Sequence, residues 1–135
     1  MSVVKSKREE TELTVITKAN ELAKYTIQIC SNEKCFPKRY RWCITSKIVE
    51  SAIVLTNDII KANAIYIQTM EDLASRKKLQ NDAIAETYAL LNMIDIAYTS
   101  FGIEARRIEN WTKLTLEVQT LLRGWRKSDN SRKFT

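Results

Sequence analysis

Apolar and polar positions follow one another along most of this chain at a spacing of three and four. That spacing marks helices that bury a single face. Val15, Ala19, Leu22, Thr26 and Ile29 repeat in this way, and Ile16, Ala23, Ile27 and Cys30 widen the stripe. They predict a first helix over Glu12 to Ser31. Asn32 is a suitable stop, because Asn tolerates the left-handed conformation that often closes a helix. After a short loop, Pro37 fits the first turn of a second helix over Lys38 to Ala64. Ile44, Ile48, Leu55, Ile59 and Ala62 form its main stripe, with Ala52 beside it. Val49, Ile53, Val54 and Ile60 carry the apolar face beyond what one neighbouring helix covers. Two readings fit that width: a helix central to its own bundle, or a second face buried in an oligomer.

Residues 64–68 show no clear period, and Thr69-Met70-Glu71-Asp72 then reads as a capping box with Asp in the usual Glu position. A third helix is predicted over Glu71 to Phe101, with Ile84, Thr87, Leu91, Ile94, Tyr98 and Phe101 on its stripe and Tyr88 adjacent. Gly102 stands where a helix-closing glycine belongs. The fourth helix, over Glu104 to Lys127, carries Trp111, Leu114, Val118, Leu121 and Trp125. Residues 1–11 read as an N-terminal arm and Ser128 to Thr135 as a polar, mobile basic tail. Amphipathic helices joined by short links predict one all-α domain over residues 1–135, an antiparallel up-down four-helix bundle.

Composition agrees with this fold and removes most catalytic classes. Two glycines and one proline are too few for the turns of an all-β chain, and 135 residues suffice for one core. There is no histidine, which excludes Ser-His-Asp and Cys-His catalysis, histidine bases and histidine metal sites. Gly102 and Gly124 are isolated, so there is no phosphate-cradling loop. Asp58, Asp82 and Asp95 lie on helices without a second inward carboxylate one turn away, which argues against a magnesium-dependent hydrolase. Cys30 and Cys43 occupy apolar helical positions and read as small buried thiols, whereas Cys35 falls in the connecting loop, open to exposure. Their spacing is not that of a zinc site, and no cofactor or metal is predicted. With no signal-peptide pattern and no run of about 18 apolar residues, a cytoplasmic protein is expected.

The balance of 22 basic against 16 acidic residues gives +6, and the excess is clustered. Lys38, Arg39 and Arg41 open the second helix, Arg76, Lys77 and Lys78 lie early in the third, and Arg106 and Arg107 open the fourth. Arg123, Arg126 and Lys127 close the fourth helix. In an up-down bundle the first and third of these groups gather at one end. The second and fourth gather at the other, with Lys5, Lys7 and Arg8. Cations at a helix start oppose the macrodipole, so an external anion such as nucleic-acid phosphate accounts for them better than helix stability does. Tyr40 and Trp42 interleave with Arg39 and Arg41, and Trp125 lies between Arg123 and Arg126, an arrangement able to stack on unpaired bases. The plainer reading puts Trp125 on the core stripe and makes Trp42 an anchor for the second helix.

Asn32-Glu33-Lys34, Phe36-Pro37-Lys38-Arg39-Tyr40-Arg41 and the long helix after them resemble a bacterial four-helix-bundle family. The family includes proteins encoded in ribosomal-RNA intervening sequences and the accessory variability determinant of diversity-generating retroelements. Leu121-Leu122-Arg123-Gly124-Trp125-Arg126-Lys127 is similar to the basic, Gly-Trp-containing ending of the second branch. This resemblance implies a homopentameric barrel of up-down bundles without catalytic residues. Its partners would be a reverse transcriptase and a structured template RNA or RNA/DNA hybrid, with Arg39, Arg41, Arg123 and Arg126 as the foremost RNA contacts. The intervening-sequence branch would instead imply a scaffold that binds protein partners.

Overall fold

The computed structural model describes residues 2–132 and 134, with side chains from Glu9 onward. The side chains of Lys5, Lys7 and Arg8, and Lys133 and Thr135 of the predicted tail, lie outside the described part. The chain forms α1 (Ser2–Ser31), α2 (Ser46–Ala64), α3 (Met70–Phe101) and α4 (Ala105–Asn130), and no strand among the described residues. α1 packs on α2 and α4, and α3 packs on the same two helices. No described helix is long and apolar enough to cross a membrane.

The predicted first stripe is buried in full: Val15, Ala19, Leu22, Thr26 and Ile29. On α3 and α4 the core centres on Leu90 and Ala97, and on Thr115 and Leu122, one position from the predicted Leu91, Tyr98, Leu114 and Leu121. Threonines are tolerated there because each is hydrogen-bonded. The Trp111 indole donates to Thr26 Oγ1 at 2.9 Å, and the Gln119 amide donates to Thr87 Oγ1 at 3.0 Å.

Helix ends depart from expectation in instructive ways. α1 does stop at Asn32, but among the described residues only a glycine has positive φ, so no left-handed Asn closes it. Instead the Asn32 side-chain oxygen accepts from the Lys34 N–H at 3.0 Å, and its carbonyl accepts from the N–H of Cys35 and Phe36. This turn drops Phe36 edge-on against Phe101 and Trp111. Pro37 lies just before a 3-10 turn (Lys38–Tyr40) and a π turn (Arg41–Thr45), so the second segment becomes α-helical only at Ser46. The predicted arm is helical from Ser2, and α4 continues through the first residues of the predicted tail to Asn130.

The Thr69–Asp72 capping box is present, with Thr69 Oγ1 accepting from the Asp72 N–H at 3.1 Å. Backbone N–H groups of Gln68 and Thr69 donate to the Asp72 carboxylate, and the Gln68 bond above all holds its pKa below the usual range. A lowered carboxyl pKa stabilises the folded state above the unfolded value. That contribution is lost as pH falls through the folded one. Gly102 closes α3 at φ +63°, and a Cβ there would meet nothing within 4 Å. Thr69→Ala and Gly102→Ala are each expected to lower stability by about 1 kcal/mol in urea unfolding followed by helical circular dichroism, through a lost cap and backbone strain respectively.

Candidate nucleic-acid interface

Lys38, Arg39 and Arg41 lie on the two turns ahead of α2, and all three are exposed. Because these turns precede the α-helix, the macrodipole of α2 bears on them less than expected. The turns are fixed to the core through Tyr40, whose ring lies 5.1 Å from that of Phe101, while the Arg39 guanidinium sits 5.2 Å from the Tyr40 ring. Tyr25 near the end of α1 donates to the Arg107 carbonyl at 3.0 Å. These contacts bring the α2 turns, the end of α3 and the start of α4 close together. Arg106 and Arg107 are exposed there, with Arg107 paired to Glu104 at 3.7 Å. Among the described residues, Lys38, Arg39, Arg41 and Arg106 make no ion pair.

A second basic surface runs along α3 and α4. The Arg126 guanidinium donates to Asn81 Oδ1 at 2.9 Å, and Arg123 donates to the Tyr88 hydroxyl with its guanidinium 5.6 Å from the ring centre. Lys77 stands one turn before Asn81, and Lys127 follows Arg126; both are exposed. Lys78 is exposed and pairs with Asp82 at 3.6 Å. Carboxylates gather on the other side of α3, facing α2. Ser51 donates to Glu86 at 2.6 Å, and Asp58 has its pKa raised by partial burial and then by Asp82. Lys78, through its pair with Asp82, belongs to this acidic side and not to the basic surface. Tyr88, placed by spacing beside the core stripe, is in fact 53% exposed under Arg123.

No family model, curated protein or solved structure matches this chain. Function must therefore be argued from its side chains.

Two expected contributors are corrected by burial. Arg76 does not belong to an exposed patch: it is 4% exposed and its donors are consumed internally. Its Nε donates to the Ala62 carbonyl at 3.1 Å, Nη2 to the Ile65 carbonyl at 2.6 Å, and Nη1 lies 3.2 Å from Glu12 and 3.3 Å from Asp129. Gln80 and Arg132 also bond to Asp129, at 2.9 Å and 3.1 Å. Trp125, 1% exposed beneath Arg76, is a core residue and cannot reach a base. Trp42 goes the other way: it is 82% exposed and anchors nothing.

The thiols are also exchanged relative to expectation, with loop Cys35 buried and Cys43 exposed. Burial, and secondarily Cys35, pushes the Cys30 thiol up to about 12. Cys30 therefore stays protonated from neutral pH to well above pH 9. A disulfide reagent is expected to modify Cys43 rapidly in the folded protein, and Cys30 and Cys35 only after denaturant is added. Mass analysis of the modified peptides checks this. Among the described residues no three acidic, Cys or His side chains stand close enough to hold a metal ion.

Proposed function

We propose that this protein is a non-catalytic nucleic-acid-binding accessory subunit, taking structured RNA or an RNA/DNA hybrid. The observation that carries this is a set of cations that make no ion pair among the described residues: exposed Lys38, Arg39, Arg41 and Arg106 at one end, with exposed Lys77, Arg123 and Lys127 and half-buried Arg126 along α3 and α4. Polyanion binding explains cations held apart from the molecule's own carboxylates, because phosphate contacts dominate affinity for such ligands. The resemblance around Phe36 to Arg41 and Leu121 to Lys127 extends the reading to a role beside a retroelement reverse transcriptase in mutagenic cDNA synthesis.

The same reading takes the subunit as an antiparallel up-down bundle that assembles with copies of itself into a pentameric barrel. In its support, the isolated chain leaves Ile53, Val54 and Ile60 of α2 and Ile27 of α1 exposed, so its own bundle does not use the full width of that face. The same face also favours a second reading, a scaffold of the intervening-sequence kind that binds only protein.

Salt separates the two readings. RNA binding followed by fluorescence anisotropy is expected to weaken by a log–log slope of about 0.7–0.9 per phosphate contacted between about 50 and about 200 mM salt. Affinity that stays flat over that range would sink the nucleic-acid reading. Light-scattering mass, with and without RNA, reports the subunit number.

A further inference from the structure

Of the three tryptophans, Trp111 and Trp125 are at most 1% exposed, whereas Trp42 is 82% exposed. Tryptophan carries a large apolar ring with a polar N–H and is enriched at binding interfaces. Its position is defined by the backbone around it. Tyr40, one face of which meets Phe101, fastens the preceding turn to the core. The Ser46 hydroxyl donates to the Trp42 carbonyl at 3.2 Å. Trp42 lies in a π turn, a weaker and rarer helical form often found at functional sites.

The charged residues nearest this indole in sequence are all basic. Lys38, Arg39 and Arg41 precede it, and Lys38 and Arg41 line a groove of about 460 Å³ between α1 and the turns, beside the residue and not under its ring. Glu33 is the one carboxylate on that groove. An exposed aromatic ring with exposed cations on the same short turns is the combination that single-stranded nucleic acid recognises: bases stack on the ring while phosphates take the charges. A second copy of the chain meeting this surface would have to place an acidic patch against three cations.

We propose that the turns ahead of α2 form a stacking platform for an unpaired nucleotide, in which the Trp42 ring takes the face of the base and Lys38, Arg39 and Arg41 hold the adjoining phosphates. This rests on the nucleic-acid reading above and adds to it a preference for unpaired over duplex strands at this end of the molecule.

Trp42 also supplies the signal, being the one accessible fluorophore of its kind. The full chain is titrated at low salt with an oligouridylate of about ten nucleotides and with an RNA duplex of equal length. The single strand is expected to quench the Trp42 emission, and the duplex to leave it nearly unchanged. Trp42→Ala is expected to weaken single-strand binding roughly five- to hundredfold, and Trp42→Phe to restore most of it. Removing a ring that packs on nothing leaves the melting curve in place, so lost binding cannot be put down to unfolding. Unchanged single-strand affinity in Trp42→Ala would overturn the platform while leaving nucleic-acid binding intact. So would shielding of Trp42 from acrylamide in the free protein that is lost on dilution, because a second copy then covers the ring. Failure of both the oligomer and the duplex to bind at low salt would overturn the nucleic-acid reading itself.

Discussion

Arg76→Ala is expected to destabilise the fold by about 3–5 kcal/mol, the range for breaking a buried ion pair from one side. All four helices meet at this side chain. It bonds to Glu12 of α1, Asp129 of α4, the Ala62 carbonyl at the end of α2 and the Ile65 carbonyl just beyond it. Truncation would remove a donor from the Ile65 carbonyl, leave the Ala62 carbonyl with the Ile65 N–H alone, and take a counter-charge from Glu12 and Asp129. Arg76→Lys keeps the charge but has no planar fork to reach so many acceptors, so it should recover only part of the loss. Asp129→Ala should cost less than Arg76→Ala, because Arg76 retains Glu12 and both carbonyls. Urea unfolding monitored at the helical circular dichroism band measures all three. A midpoint for Arg76→Ala within about 1 kcal/mol of the parent would show that this cluster does not hold the helix ends together.

The second large effect concerns binding. Reversing Arg39, Arg41, Arg123 and Arg126 to Glu together is expected to lower RNA affinity by more than about a hundredfold at low salt. The salt slope should fall by about three, from four phosphate contacts at about 0.7–0.9 each. The fold should survive, since none of the four makes an ion pair among the described residues and the bonds of Arg123 to Tyr88 and Arg126 to Asn81 lie on the surface. Reversing the Arg39 and Arg41 pair alone, or the Arg123 and Arg126 pair alone, then assigns the contact to the α2 turns or to the α3 and α4 surface. RNA affinity unchanged in the fourfold variant, with an unaltered melting curve, would remove these residues from the site.

How much of this was legible in the sequence is best judged from Arg76. Within Arg76-Lys77-Lys78 each residue turns about 100° from the last, so one of the three can face inward while the others face water. The choice was encoded. Leu73, Arg76, Gln80, Ala83, Thr87, Leu90, Ile94 and Ala97 are all buried and keep a strict three-four spacing. Trp111, Thr115, Val118, Leu122, Trp125 and Asp129 do the same, and Glu12 extends the first stripe by one step. Reading stripes only through apolar residues ends them too early. Spacing alone could show that these charged positions face the core, but not that opposite charges meet there, because pairing depends on which helix ends come together. Trp42 was legible in principle: it stands two positions, about 200°, before Ile44 and so lies off the apolar stripe even in a regular α-helix. The capping box and the closing glycine were readable because both are local.

The linkage of Arg76 to Asp129 also sets an order of events during synthesis. The two residues are 53 positions apart, and translation at about 5–20 residues per second separates them by roughly 3–10 s. Asp129 is the last of the described buried residues to be made, so the cluster that ties the four helices together is completed only after the rest of the core has been synthesised.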